Sequence, residues 1–262
     1  MPLYSAVAPL PVNRIKNRLF DADARTFFAT AGVTDRVARG QINAFALGIK
    51  NLGLWSSIVC WPLRSSQNAG TGTTAYSLGG LGTFNGTLTN GPTWGVDGIV
   101  FDGSNDVITT SLTTQFTDFT AMATARINVG AGNASRIIDK NFSTGFWLGK
   151  AFVNNQAGGG VREGSTPFGR YVSCTEGVYN SLFSTRGGTT HSIYKNGSST
   201  VATGTVVSTA LSSDAVSFGG SSNFLFGTIS FTLISNQSFS GSVVDSIYTL
   251  YKNTLGQGLG LP

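Results

Sequence analysis

The sequence predicts a mainly β protein, an antiparallel sandwich of two sheets, preceded by an extended arm and a short helical hairpin. From Ile58 onward, short apolar runs recur at close intervals and Gly, Ser and Asn separate them. The chain has 35 glycines and only 11% charged residues, where an ordinary soluble domain has about 25%. Residues 21–57 instead repeat their apolar side chains at helical spacing. These patterns divide the chain into an arm (1–20), a hairpin (21–57) and a β domain (58–262).

The first twenty residues are predicted to form an extended arm. Three prolines within the first eleven residues disfavour a helix, and no apolar period is visible. Such a terminus is either disordered or docked on a partner. We expect it to contact a neighbouring protein through three basic residues, Arg14, Lys16 and Arg18. Three charges add only modest affinity for a phosphate backbone, so no specific nucleic acid is expected as a partner.

Two helices are predicted in the hairpin. Asp21 and Asp23 supply the N-cap and a first-turn acid for a helix over about Ala22 to Ala31, which Gly32 ends. Asp35 caps a second helix. The apolar face predicted for that second helix comprises Val37, Gln41, Phe45, Ile49 and Leu52.

The segment from Trp61 to Asp106 carries a family resemblance. It reads WPLRSSQNAGTGTTAYSLGGLGTFNGTLTNGPTWGVDGIVFDGSND. The WPL strand, the Gly-rich stretch, the GTLTNGPTW strand and the FDGSND turn resemble the opening of the laminin-G-like (concanavalin-A-like) jelly-roll family. Weaker echoes continue to residue 251, including the Asn196–Gly197 turn and a closing helix capped by Ser240. The resemblance implies a two-sheet antiparallel jelly roll with a lectin-like character.

A second resemblance covers residues 24–58, ARTFFATAGVTDRVARGQINAFALGIKNLGLWSSI. This stretch is similar to a leader found ahead of a β-sandwich in tailed-phage virion proteins. It implies a non-enzymatic structural protein of the virion, for which we favour a capsid decoration (cement) protein anchored by its arm and hairpin. The alternative is a carbohydrate-binding tail or head-fibre protein used in host adsorption. The expected partners are other virion proteins, copies of the chain itself (for example as a trimer) and a host glycan.

The N-terminus also bears on location. Its basic residues follow the weakly apolar stretch instead of preceding it, so it does not read as a signal peptide. No run approaches the ~18 apolar residues of a membrane span. We therefore expect synthesis in the host cytoplasm, assembly into the virion and no membrane partner.

Sugar binding requires an aromatic platform flanked by polar groups, because pyranose faces are apolar and their rims polar. The candidates are Trp147 with Lys140 and Asn141, and a presumed loop from Phe168 to Tyr171. For each of these aromatic residues, packing in the core is the alternative. Trp61 and Trp94 lie in strand motifs and are expected in the core.

Few residues of this chain are candidates for catalysis. Glycoside hydrolysis needs two facing carboxylates, and the only glutamates, Glu163 and Glu176, lie in loop-like contexts without an E-x-D-x-E run. A Ser-His-Asp triad would depend on His191, the single histidine, which lies at the start of a strand. No catalytic residue is expected, and the protein is interpreted as not an enzyme.

Metal and cofactor sites are not expected either. Many relatives bind Ca²⁺ through an acid after the Gly-rich Tyr, but Ser77 stands there in this chain. Asp102 and Asp106 could hold a residual calcium or hydrogen-bond their own turn, and we favour the turn. Cys60 and Cys174 are far apart in the sequence and are expected as buried thiols.

Overall fold

The computed structural model describes residues 20–132, 134–141, 144–151, 154–163, 166–206, 209–220 and 222–262. These ranges contain three α-helices: α1 (Ala22–Thr30), α2 (Arg36–Asn51) and α3 (Gly241–Asn253). A 3₁₀ turn, Trp55–Ser57, leads into the strands. The sixteen strands of the described residues are β1 (Ile58–Pro62), β2 (Thr74–Ala75), β3 (Gly86–Thr89), β4 (Thr93–Gly95), β5 (Gly98–Asp102), β6 (Val107–Thr110), β7 (Phe119–Ile127), β8 (Arg136–Lys140), β9 (Phe146–Lys150), β10 (Gln156–Glu163), β11 (Thr166–Ser173), β12 (Tyr179–Gly187), β13 (Thr190–Lys195), β14 (Thr200–Thr205), β15 (Ser217–Phe218) and β16 (Phe226–Ser235).

The strands form two antiparallel sheets, which confirms the predicted jelly-roll sandwich. Sheet A has the order β14-β13-β12-β7-β16-β5-β4, and β1 pairs with the second half of β16. Sheet B has the order β11-β10-β9-β8-β15-β6-β3-β2. Between the two sheets lies an apolar core that includes Trp61, Phe101, Phe146 and Phe218.

A second apolar core lies on the outer face of sheet A, beneath all three helices. It joins Phe45 and Ile49 of α2 and Tyr251 of α3 to Phe231 and Leu233 of β16. Strand β7 is accordingly buried on both of its faces. The molecule therefore has three layers, and the boundary near residue 57 is a change of secondary structure within one packed body.

The hairpin has the predicted helices and caps. The Asp21 carboxylate accepts the N–H groups of Asp23 and Ala24, and that of Asp35 accepts the N–H of Ala38. Burial opposes the charge of Asp21, but hydrogen bonds from Lys50 (2.8 Å) and from the cap lower its pKa.

The predicted apolar face of α2 is wrong in part. Val37 is 67% exposed and Leu52 is 41% exposed. The buried residues of this helix are Ala38, Ile42, Phe45, Ala46 and Ile49. On the side of the helix that carries Val37 and Leu52, a Cβ at Gly48 would run into Leu250 of α3. The buried face instead packs on sheet A, where Ile42, Phe45 and Ile49 share an apolar core with Phe231 of β16.

The segment that carries the jelly-roll resemblance is held by side-chain amides. Asn68 is buried and bonds both the carbonyls of Pro62 and Tyr76 and the N–H groups of Ala69 and Tyr76. Trp61 is fully buried, as expected, and its indole N–H donates to the carbonyl of Phe84 at 2.9 Å. Trp94 is half-buried at the margin of the core.

The remaining local predictions concern the end of the chain and the thiols. Asn196 and Gly197 both have positive φ (53° and 99°) in the turn between β13 and β14, as the Asn-Gly signal predicts. Ser240 occupies the N-cap position of α3, but its hydroxyl makes no cap hydrogen bond and lies 2.9 Å from that of Ser242. Cys60 and Cys174 are buried free thiols. None of the helices among the described residues has the length and apolar composition of a membrane-spanning helix.

Candidate functional site

Two of the predicted sugar-binding residues, Trp147 and Tyr171, come together on the outer face of sheet B. Their ring centroids are 6.0 Å apart and the ring planes are inclined by 42°. Their strand neighbours Leu148 and Val172 point into the core, so both rings lie on the face turned away from it. Tyr171 is 36% exposed and Trp147 only 5%. Tyr171 is therefore the accessible ring, and Trp147 supports it.

The Tyr171 ring lies flat on the sheet because its neighbours are glycines. A Cβ added to Gly158 would come 2.8 Å from Cδ1 of the ring, and one added to Gly169 would come 2.5 Å from its hydroxyl oxygen. Gly158 is the register partner of Tyr171 on β10. Without side chains at these positions, one face of the ring rests on backbone and the other faces outward. This is the geometry of an aromatic platform.

Arg136 and Asp139 extend the cluster across the sheet, and the sequence analysis did not identify them. The Arg136 guanidinium carbon lies 3.9 Å from the centroid of the Trp147 ring, in cation–π contact. Asp139 is the register partner of Trp147. Residues three apart on a regular strand face opposite sides, but a bulge between Arg136 and Ile138 brings Arg136 and Asp139 to the same side. No period in the sequence indicates that bulge.

Hydroxyl groups continue the same row. Ser217 pairs with Asp139, Thr109 with Ser217, and Thr87 with Thr109. Thr87 and Thr109 are exposed. Arg136 and Asp139 are each 2% exposed and Ser217 is buried, so on this face Tyr171 is the accessible ring and the exposed hydroxyls are those of Thr87 and Thr109. We call Arg136, Asp139, Trp147 and Tyr171 the aromatic cluster.

Lys140 and Asn141 do not belong to this cluster, which corrects the sequence prediction. Lys140 pairs with the core residue Phe146 and is fully buried on the opposite face of β8, where its ammonium donates to the Asp214 carbonyl. Burial lowers the pKa of Lys140 to about 8, against the raising effect of the Asp214 carboxylate. Asn141 has φ of 63° and shapes the following turn by accepting the N–H of Thr144 at 3.1 Å. Lys140 and Asn141 are close to Trp147 in the β8–β9 hairpin, but their side chains do not join the Trp147 ring on the outer face of sheet B.

Other predicted contact residues lie outside the part that can be described. Arg14, Lys16 and Arg18 lie outside the described residues, as does the side chain of Phe168. The presumed loop from Phe168 to Tyr171 is wrong: these residues belong to β11, paired in register with β10.

The prediction that both glutamates lie in loops holds for Glu176, which is in a turn, but not for Glu163. Glu163 ends β10, and its side chain lies outside the described residues. Glu176 bonds Lys150, whose ammonium is almost fully buried, at 3.0 Å. Burial opposes the charge of Glu176, but this bond and the N–H of Asn155 lower its pKa. Glu176 therefore neutralises a buried lysine.

His191 is at the start of β13, as predicted, and points into the sandwich. Its Nε2 lies 2.9 Å from the hydroxyl oxygen of Ser184, and the residue is fully buried. Burial and then the charges of Arg170 and Arg186 lower the pKa of His191 to about 3. Nδ1 has no hydrogen-bond partner among the described residues, so this Ser–His pair lacks the acid of a triad and has no access to substrate.

The acidic turn bonds its own backbone. The Asp106 carboxylate accepts the N–H of Asp102 at 3.0 Å, and the Asp102 carboxylate accepts that of Ser104 at 2.8 Å. This is the turn-stabilising role that the sequence analysis favoured. Within the described ranges, no three His, Cys, Asp or Glu side chains form a group suited to a metal ion.

No protein-family model matches this sequence, and no curated protein is similar to it in sequence. Solved structures share its fold. Trypanosoma rangeli sialidase in complex with sialic acid matches with a TM-score of 0.56 and 12% identity, over 76% of this chain and 33% of that one. The binding domain of botulinum neurotoxin serotype C1 matches with 0.53 and 15%, over 75% and 52%. The binding domain of botulinum neurotoxin DC in complex with SialylT matches with 0.53 and 13%, over 74% and 51%. The chain thus spans between a third and about half of these proteins, and the likeness at such identities is one of fold.

Proposed function

We propose that this chain is a non-catalytic, lectin-like jelly roll that binds carbohydrate on the outer face of sheet B. The observation that carries the proposal is the Tyr171 ring, which lies flat over Gly158 and Gly169 with one face outward. The apolar C–H face of a pyranose stacks on such a ring. Arg136 and Asp139 are each only 2% exposed, so the ring of Tyr171, and not these charges, is the surface offered to the sugar.

The solved structures of similar fold support the same class of ligand. The neurotoxin DC binding domain is in complex with SialylT, and the trypanosomal sialidase is in complex with sialic acid. The absence of catalysis is supported by the side chains themselves. Glu176 is engaged by Lys150, and His191 is buried with Ser184.

The setting that we propose for this activity is the surface of a tailed-phage particle. It is supported by the leader-like sequence of residues 24–58 and by the position of its start. Phe20, where the described chain begins, packs on Phe28 of α1 with ring centroids 5.5 Å apart. The helices cover the outer face of sheet A, whereas Tyr171 lies on the outer face of sheet B. An arm attached to the particle would therefore leave the Tyr171 ring facing outward.

This orientation suits a capsid decoration protein, in which the basic arm with Arg14, Lys16 and Arg18 binds the capsid. It differs from the sequence interpretation in one respect: the hairpin packs on its own sheet, so the arm alone is the proposed anchor. The second candidate is a tail or head-fibre protein used in host adsorption, and the exposed platform of Tyr171 favours it. Both are virion locations that follow synthesis in the host cytoplasm.

Two experiments test the proposal separately. A glycan array with the full chain tests carbohydrate binding: we expect selective signals that disappear in Tyr171→Ala and persist in Tyr194→Ala, a tyrosine on sheet A. No selective signal for the wild type would contradict it. Mass spectrometry of gradient-banded particles tests the setting, and immunogold labelling distinguishes capsid from tail. Absence of the chain from purified particles would refute the virion assignment and leave the binding result intact.

A further inference from the structure

A groove lined by hydroxyl groups lies on the outer face of sheet A, between two strands and the segment that leads into α3. Strands β12 and β13 contribute Thr185, Thr190 and Ser192 to its lining. The segment before α3 contributes Ser238 and Ser240. The volume of the groove is about 310 Å³, at the lower end of the range of about 300–1,000 Å³ for small-molecule pockets. No charged residue of the described part of the chain lines it.

Thr185 places a buried and unpaired hydroxyl in this groove. Its strand neighbour Ser184 bonds His191 inside the sandwich, so the Thr185 side chain faces the opposite side of the sheet, where the groove lies. The residue is only 3% exposed. Its hydroxyl makes no hydrogen bond to any described residue. A buried hydroxyl without a partner is unfavourable, and a ligand that bonds it removes that penalty.

The groove also adjoins the N-terminus of α3, which lacks a side-chain cap. Ser240 lines the groove and occupies the N-cap position, but its hydroxyl lies against that of Ser242 and caps no N–H group. The first turn of this 13-residue helix contains no acid. Among the described residues, the N–H groups of Gly241, Ser242 and Val243 have no backbone or side-chain acceptor. These N–H groups form the positive end of the helix dipole, which favours an anion.

We propose that this groove binds a small oxyanion, a phosphate group, which accepts hydrogen bonds from the Thr185 hydroxyl and from the start of α3. Hydroxyl and N–H donors without a carboxylate among them suit an anion. Two acids of this part of the chain, Asp118 and Asp245, accept the N–H groups of Gly188 and Ser198 and do not line the groove. The net charge of +5 also attracts an anion. The groove lies on sheet A and Tyr171 on sheet B, so this proposal is independent of carbohydrate binding.

Isothermal titration of the full chain with inorganic phosphate, at constant ionic strength, tests the proposal. We expect one site per chain, and Thr185→Val should raise its Kd at least about tenfold because a hydrogen bond to a charged ligand is lost. The same substitution should not lower the melting temperature of the ligand-free chain, because it removes an unpaired buried hydroxyl. Thr232→Val is the matched control: that hydroxyl is also buried without a partner but does not line the groove, so Kd should not change.

Ser240→Asp tests the contribution of the helix N-terminus. A carboxylate at the N-cap accepts first-turn N–H groups, so the variant should melt at or above the wild-type temperature and yet lose phosphate binding. Glycerol 3-phosphate in the same titration identifies the source of the phosphate group: a lower Kd than that of inorganic phosphate indicates a monoester, and an equal or higher Kd indicates the free ion. The proposal is overturned if neither compound binds the wild type saturably, or if Thr185→Val or Ser240→Asp leaves Kd unchanged.

Discussion

Phe45 of α2 packs edge-on against Phe231 of β16, with ring centroids 5.3 Å apart and the rings inclined by 75°. Both residues are fully buried. This contact joins the hairpin to the sheet that lies beneath it. The hairpin is therefore a structural layer of the jelly roll and shields apolar residues of sheet A from water.

Phe45→Ala should lower the free energy of unfolding by about 3–5 kcal/mol, because it leaves a cavity between helix and sheet. Val37→Ala on the same helix should change it by less than about 0.5 kcal/mol, since that side chain is exposed. Urea denaturation of both variants measures the difference. Equal effects would mean that α2 presents the other face to the sheet.

The hairpin shows which parts of the fold the sequence determines locally. The caps at Asp21 and Asp35 were predictable because each bonds N–H groups within three residues. The buried face was not, because Val37 and Leu52 fit a helical period equally well as Ala38 and Ile42 do. What selects between them is packing on sheet A, where Ile42 and Phe45 share an apolar core with Phe231, a residue far away in the chain.

Trp147→Ala should lower the free energy of unfolding by about 3–5 kcal/mol, because the indole is 5% exposed and contacts Arg136 and Tyr171. Thermal unfolding followed by calorimetry measures this effect. Tyr171→Ala should lower the free energy of unfolding by clearly less, since that ring is partly exposed. A Trp147→Ala protein as stable as the wild type would show that the indole bears no packing role.

Gly169→Ala should weaken carbohydrate binding without unfolding the protein. The new methyl group would come 2.5 Å from the Tyr171 hydroxyl oxygen, so the ring must tilt away from the sheet. Gly132→Ala is the matched control, because no atom lies within 4 Å of a Cβ there. Binding can be compared on the same glycan surface, with circular dichroism to verify the fold. Unchanged binding in Gly169→Ala would mean that the flat orientation of the ring is irrelevant.

The cluster itself was only partly predictable. Aromatic residues at Trp147 and Tyr171 were identified from their chemistry, and their meeting on one face follows from strand register. Arg136 and Asp139 depend on a β-bulge, which no spacing in the sequence reports. Lys140 was misplaced because a residue near Trp147 around a turn can face the other side of the sheet, as its pairing with Phe146 makes it do.

Stability should fall as the pH decreases from 6.5. The pKa of His191 is lowered to about 3 by burial and then by Arg170 and Arg186, so below pH 6.5 the unfolded chain binds a proton that the folded chain does not. Well below pH 6.5, the free energy of unfolding should fall by about 1.4 kcal/mol for each unit of pH. Urea denaturation between pH 7 and 5 isolates this effect, since the chain has one histidine. His191→Gln should remove the slope in this window, and a slope that persists would assign the titration to another group.

The most direct test of the account is isothermal titration of the full chain with a glycan that it binds, comparing Tyr171→Ala, Tyr171→Phe and Tyr194→Ala. Stacking on the exposed ring face predicts that Tyr171→Ala raises Kd at least about tenfold, equivalent to about 1.4 kcal/mol. Tyr171→Phe, which keeps the ring, should retain most of the affinity, and Tyr194→Ala should retain all of it. Wild-type affinity in Tyr171→Ala would contradict the assignment of carbohydrate binding to the outer face of sheet B.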